Sequence, residues 1–142
     1  METLEGKVAV ITGGGSGLGE ATVIAFAKAG ATTIPLDVNE KAIRQLATRL
    51  HGMGALALPL ALDVSDAEAV SDAVSKVTDR FGRIDVVVNN AGVDHTLPIA
   101  EMSIEQWDHV LRVNLRGAFL LTKAVLPIMQ EQRSGHFVNV AS

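Results

Sequence analysis

Thr12-Gly13-Gly14-Gly15-Ser16-Gly17-Leu18-Gly19 is the stretch on which the reading of this chain turns. Before it runs a β-branched segment, Lys7 to Thr12 (KVAVIT). After it, from Gly17 to Ala29, Leu18, Ala21, Ile24, Ala25 and Ala29 recur near helical spacing, and Gly30 marks the helix stop. Glycines between a buried strand and a helix serve three needs. The chain turns sharply, the backbone can approach a ligand closely, and the helix packs tightly on its strand.

The alternation continues outward. Ala31 to Asp37 (ATTIPLD) reads as a second strand, weakened slightly by Pro35. Asn39 can cap a helix from Glu40 to about Leu50, with Ile43, Leu46, Ala47 and Leu50 on one face. Ala55 to Leu62 is a third apolar run, and Ser65-Asp66-Ala67-Glu68 is a capping box opening a helix to about Arg80. Ile84 to Asn89 is a fourth strand, and a loop from Asn90 to Met102 follows. Ser103-Ile104-Glu105-Gln106 opens a helical stretch with one break, to about Gln132, and Ser134-Gly135 turns into a fifth strand, His136 to Ala141. Near-continuously apolar strands separated by helices predict a parallel sheet covered on both faces. The expected fold is a Rossmann-type α/β domain over residues 1–142, a doubly wound three-layer sandwich cut off after its fifth strand.

Composition narrows the function. A net charge of −4 with only isolated Lys and Arg disfavours nucleic acid. Without Cys there are no disulfides and no thiolate metal sites, and His95 and His109 lack partners at ligand spacing, so no metal is expected and both read as loop or surface residues. The acidic start of the chain does not look like a secretory signal, and no apolar run reaches membrane length, so a cytoplasmic protein is expected. Trp107 reads as packing.

The helix start after the glycines offers free N–H groups and a positive dipole end, which suit a diphosphate. The spacing is T-G-x-x-x-G-x-G, and no Lys-Ser/Thr follows as an ATP-binding loop would need. A tight turn with no ligand is the alternative. Asp37 ends the second strand, where a carboxylate can accept hydrogen bonds from an adenosine ribose diol and repel a 2′-phosphate. Lys41 and Arg44 lie a turn or more further on, so NAD is expected over NADP. The alternative for Asp37 is a cap on the next helix, and for Asp63 a cap near Ser65. Asn89 and Asn90 can equally close a turn through side-chain-to-backbone bonds.

Taken together, these residues resemble the short-chain dehydrogenase/reductase family. Thr12, Gly13, Gly15, Ser16, Gly17, Leu18 and Gly19 match its glycine turn, and Asp37 matches the acid of NAD-preferring members. Asp63-Val64 matches the pair beside the adenine, and Asn89-Asn90-Ala91-Gly92 matches the motif after the fourth strand. Arg112-Val113-Asn114-Leu115 matches the helix carrying the family's Asn, and Val138 to Ser142 matches the strand ending in its Ser. The resemblance implies cofactor contacts at these positions, Val113 included. It also implies that Ser142 orients the substrate oxygen and that Asn114, in a helix it disfavours, supports a proton-relay water. Asp94, His95 and Thr96 would line a substrate pocket.

In that family a Tyr with a Lys four residues later moves the proton, and this motif should follow Ser142. The 142 residues contain no Tyr. The expectation is a cofactor-binding part of an oxidoreductase acting on a small alcohol or ketone, inactive by itself, from a protein that forms homodimers or homotetramers. The fifth strand would be an unprotected edge. A dinucleotide-binding module without catalysis and a flavodoxin-like signalling domain are the competing readings.

Overall fold

Val8–Thr12 forms β1, and its alternation sorts the domain into two faces. Val8 and Val10 point to one side and pack with Val70, Val74, Val77, Leu121 and Val125. Ala9 and Ile11 point to the other and pack with Val23, Ala27, Leu46 and Leu50. Every residue of the strand is buried, as a central parallel strand requires. The computed structural model describes residues 3–141.

Five parallel strands lie in the order β3-β2-β1-β4-β5, with β2 at Thr32–Asp37, β3 at Leu60–Ala61, β4 at Val86–Asn89 and β5 at His136–Asn139. Helices α1 (Gly17–Lys28) and α2 (Glu40–Gly52) cover one face. Helices α3 (Ala67–Phe81) and α5 (Gly117–Gln132) cover the other. The three-layer, doubly wound sandwich is therefore present. Strand order reverses between β1 and β4, so a crevice opens above their carboxyl ends.

Four readings of the sequence need correction. The third strand is shorter than Ala55 to Leu62. Thr33 donates to Leu56 O and Leu58 to Thr33 O, but the next donor in this register is Pro35, which has no N–H. Pairing resumes only at Leu60–Ala61, leaving an isolated bridge at Ala57. Helix α1 buries Gly19, Val23 and Ala27 rather than the stripe beginning at Leu18, which is 61% exposed. Small residues at Gly19 and Ala27 let α1 approach the sheet. Ser65 does not cap α3. Asp66 does, accepting from the N–H groups of Glu68 and Ala69, while the Ser65 hydroxyl donates to Asp63. Trp107 is half exposed and belongs to neither core cluster.

Asn39 caps α2 through Ala42 N–H, and Ser103 and Gln106 form the capping box of α4 (Ile104–Leu111). The break expected in the helical stretch after Ser103 is a π-helical turn, Arg112–Arg116, in which Gly117 N–H reaches back to Arg112 O. One residue is thereby inserted into the helical ladder between α4 and α5.

Candidate functional site

The glycine turn is held against the end of β2 by two bonds. Gly14 N–H donates to Leu36 O at 3.1 Å and Gly15 N–H to Asp37 Oδ2 at 2.9 Å. Gly17 has φ +53°, a left-handed conformation that favours glycine. Gly19 is needed for a different reason: a Cβ there would run into the carbonyl of Gly13 and the amide of Asn90. The helix can start this close to the strand only without that atom.

Ser16 precedes α1 in extended conformation and makes no side-chain cap. The N–H groups of Gly17, Leu18 and Gly19 take no acceptor among the described residues. Helices α2, α3 and α4, by contrast, each begin with a side-chain cap. Three aligned donors at a positive dipole end, beside a backbone stripped of Cβ atoms, have the chemistry to hold an anion. The donor set fits the diphosphate of a dinucleotide.

Asp37 serves the fold as well as facing the cavity. Its Oδ2 accepts from Gly15 and its Oδ1 from Asn39 N–H at 2.9 Å, so the capping alternative describes part of its work. Each carboxylate oxygen has a further lone pair for a diol. Asp63 uses Oδ1 for the Ser65 N–H and hydroxyl, at 2.9 and 2.7 Å. The Ser65 hydroxyl and N–H hold the Asp63 carboxyl below its ordinary range; slight burial opposes them, and the charges of Arg112 and His109 assist.

Thr12 is a hub. Its buried hydroxyl oxygen accepts from the N–H groups of Asn90 and Ala91, both at 2.9 Å. The Asn90 amide returns to Thr12 O at 3.0 Å. The side chains of Thr12 and Asn90 thus lock the ends of β1 and β4 together, and Asn90, Ala91 and Gly92 border the crevice. Buried Asn89 donates to Asn139 Oδ1 at 2.9 Å and Thr122 Oγ1 at 3.3 Å, tying β5 and α5 to β4. Asn114 is exposed, and its amide pairs with the backbone of Val93.

The crevice divides into two adjoining cavities. One, of about 500 Å³, is bordered by Gly13, Ser16, Gly17, Leu18, Asp37, Asp63, Val64, Asn90, Ala91, Gly92 and Val113. The other, of about 880 Å³, shares Val64, residues 90–92 and Val113 and adds Thr12 and Asn114. Gly15 and Gly19 border neither; they shape the turn from behind. Ser142 lies outside the described residues, and the strand leading to it ends at the larger cavity through Asn139, Val140 and Ala141.

Sequence reasoning missed one feature of the site. His95 and His109 are partly buried and meet edge to face, with ring centroids 5.7 Å apart. Fourteen positions separate them along the chain, at no repeat that a pattern could detect. Among the described residues no group of three His, Asp or Glu side chains is placed to hold a metal ion. No helix among them is long and apolar enough to cross a membrane.

Comparison with known proteins adds the following. A family model for short chain dehydrogenases matches residues 7–142. The 3-oxoacyl-(acyl-carrier-protein) reductase FabG of Thermotoga maritima is 43% identical over 139 residues, covering 98% of this chain and 56% of the relative. The D-threitol dehydrogenase of Mycolicibacterium smegmatis is 42% identical over 139 residues, covering 98% of this chain and 54% of the relative. A crystal structure of a metagenomic short-chain oxidoreductase in complex with NADP superposes with a TM-score of 0.93 at 32% identity, covering 97% of this chain and 63% of that one. The chain spans about half the length of the curated relatives it matches.

Proposed function

Because the chain belongs to the short chain dehydrogenase family, we propose that it binds a nicotinamide dinucleotide, NAD(H) in preference to NADP(H), for oxidoreduction of a small alcohol or ketone. The observation that carries this reading is the union of an uncapped α1 with Asp37. Gly15 N–H bonds the Asp37 carboxylate, so phosphate donors and ribose acceptor form one unit.

In this reading the N–H groups of Gly17 and Leu18, which border the smaller cavity, hold the diphosphate, and Gly19 lets the helix start close behind them. Gly13, Gly15 and Ser16 shape its cradle, and Thr12 fixes the cradle to β4. Asp37 takes the adenosine ribose. Asp63, Val64 and Val113 border the base, and Asn90, Ala91 and Gly92 the chain toward the nicotinamide. The bound cofactor supplies or accepts the hydride. Ser142 would donate a hydrogen bond to the substrate oxygen, and Asn114 would keep the π turn and the loop at Val93 in place for a relay water.

The preference for NAD rests on charge. A 2′-phosphate would face the Asp37 carboxylate, and Arg44, the nearest guanidinium along the chain, is committed to Glu40 at 2.7 Å. The metagenomic short-chain oxidoreductase to which the chain is similar was solved with NADP, so the preference proposed here rests on Asp37 and not on that relative.

A dinucleotide-binding module without turnover is the second reading: the uncapped α1 and the Asp37 carboxylate serve binding rather than proton transfer. The exposed apolar side chains Leu111, Leu115 and Phe119 are the surface through which the whole protein would pair into a homodimer or homotetramer.

Calorimetric titration with NADH and NADPH tests the proposal. Tighter binding of NADH is expected. Folded protein that ignores both nucleotides at millimolar concentration would overturn it, and equal affinities would overturn the NAD preference.

A further inference from the structure

His109 stands on the last turn of α4, four residues before Val113 of the π turn, so the two side chains share one side of the helix. Both border the smaller cavity, together with Asp63 and Val93. Helix α4 buries none of its residues completely, so nothing in the core fixes His109. His95 does so instead. Its ring comes from the loop after β4 and meets the His109 ring at an interplanar angle of 88°.

This end of the cavity therefore combines three features. There is a flat imidazole braced from behind, and there are apolar walls at Val93 and Val113. The third is Asp63 Oδ2, an acceptor with no donor among the described residues. A planar heteroaromatic ring bearing an exocyclic amine satisfies all three: the amine meets the carboxylate, and the ring faces meet the side chains.

We propose that His109 is a base-recognition residue, packing on the adenine of the bound dinucleotide, with His95 as the positioning residue that holds its ring. The inference deepens the dinucleotide reading and rests on it. It also joins the loop of Asp94, His95 and Thr96 to nucleotide binding, because the ring touching the base is held by that loop. No bond is made or broken, and what matters is the shape and polarisability of the ring rather than a proton.

The test is calorimetric titration of the 142-residue chain with three probes: NADH, ADP and inorganic pyrophosphate. His109→Ala should weaken NADH and ADP alike, by about tenfold, because both carry the base. Pyrophosphate binding should stay within about twofold, since aligned N–H groups at α1 supply it. His109→Phe should retain most of the affinity and His109→Gln should not, which separates ring packing from hydrogen bonding. His95→Ala should give a smaller loss in the same two probes. Unchanged NADH and ADP affinity in His109→Ala would overturn the inference, as would Gln rescuing where Phe fails. Parallel weakening of pyrophosphate would also overturn it, by showing that α4 supports the whole site rather than the base. If the unmodified chain binds no NADH, the dinucleotide reading itself fails and carries this inference with it.

Discussion

The side chain of Asn114 pairs with the backbone of Val93 as one strand pairs with another. Val93 N–H donates to Asn114 Oδ1 at 2.8 Å, and Asn114 Nδ2 donates to Val93 O at 2.9 Å. The π turn thereby holds the loop that leaves β4, on the side where the two cavities meet.

Asn114→Ala should release that loop. Removing two partly exposed hydrogen bonds should cost about 1–2 kcal/mol of stability. Hydrogen exchange at the Val93 amide should accelerate more than at the β4 amides. Asn114→Asp keeps the acceptor for Val93 N–H and loses the donor to Val93 O, so it should fall between the two. Equal protection at Val93 in all three proteins would refute the clamp.

Thr12→Val preserves shape and removes the acceptor shared by Asn90 and Ala91. Two buried or partly buried N–H groups lose their partner, for an expected loss of about 2–3 kcal/mol. Thr12→Ser should retain most of the stability. Urea denaturation of the two variants measures the difference, and equal midpoints would contradict the hub role.

Glycines should divide sharply under substitution by alanine. At Gly19 the new methyl meets the Gly13 carbonyl, which is backbone and cannot swing aside, so Gly19→Ala should disrupt the turn and abolish nucleotide binding. Gly52 ends α2 with open space around it and no positive φ, so Gly52→Ala should stabilise by about 0.5–1 kcal/mol. Thermal unfolding alongside NADH titration checks both.

Asp37→Ala should shrink the difference between NADH and NADPH affinities, since the carboxylate that disfavours a 2′-phosphate is gone. It should also lower stability by about 1–2 kcal/mol, because Gly15 and Asn39 lose their acceptor. Unaltered cofactor selectivity in a folded variant would remove Asp37 from the binding reading and leave only its capping role.

Asp85 should make the fold sensitive to acid. It is buried at the start of β4 and accepts two bonds from Arg83, at 2.8 and 2.7 Å, and one from Val8 N–H at 2.9 Å. Burial pushes its carboxyl up, but the Arg83 and Val8 hydrogen bonds with the charges of Arg83 and Lys7 outweigh that and hold it below the ordinary range. A depressed carboxylate contributes fully above the unfolded value of about 3.9, and that contribution is lost as pH falls through the folded value. Denaturant midpoints measured from pH 6 downward should drop below about pH 4. In Asp85→Asn the drop should be shallower from a lower starting point. A variant with the same acid slope would exonerate this group.

Much of the architecture was legible in the residues themselves. The β-branched run ending at Thr12, the glycines after it and the face of Ile43, Leu46, Ala47 and Leu50 are local patterns, and the forces behind them are local too. Asn39 and the Ser103–Gln106 box were readable for the same reason: a cap joins groups two or three residues apart. Errors arose where a distant partner decided. Pro35 interrupts β3 through a neighbouring strand. Ser65 is the local exception: its hydroxyl turns back to Asp63, two residues away, and leaves the cap of α3 to Asp66. The exposed Leu18 and the buried Gly19 exchange their expected roles because α1 presses on β1 at its smallest residues.

The residue types of the candidate site, and their order along the chain, were determined by the sequence alone: glycines before a helix, an acid after the second strand, the paired Asn residues after the fourth. Only tertiary structure decided which of them face the crevice and which hold it together. Thr12 and Asn90 proved to be fasteners, Asp37 divides its oxygens between turn, helix and cavity, and His95 found His109. The physical reason is that a hydrogen bond or a ring contact depends on separation in space. Residues 78 apart, such as Thr12 and Asn90, are brought within 2.9 Å only when parallel strands lie side by side.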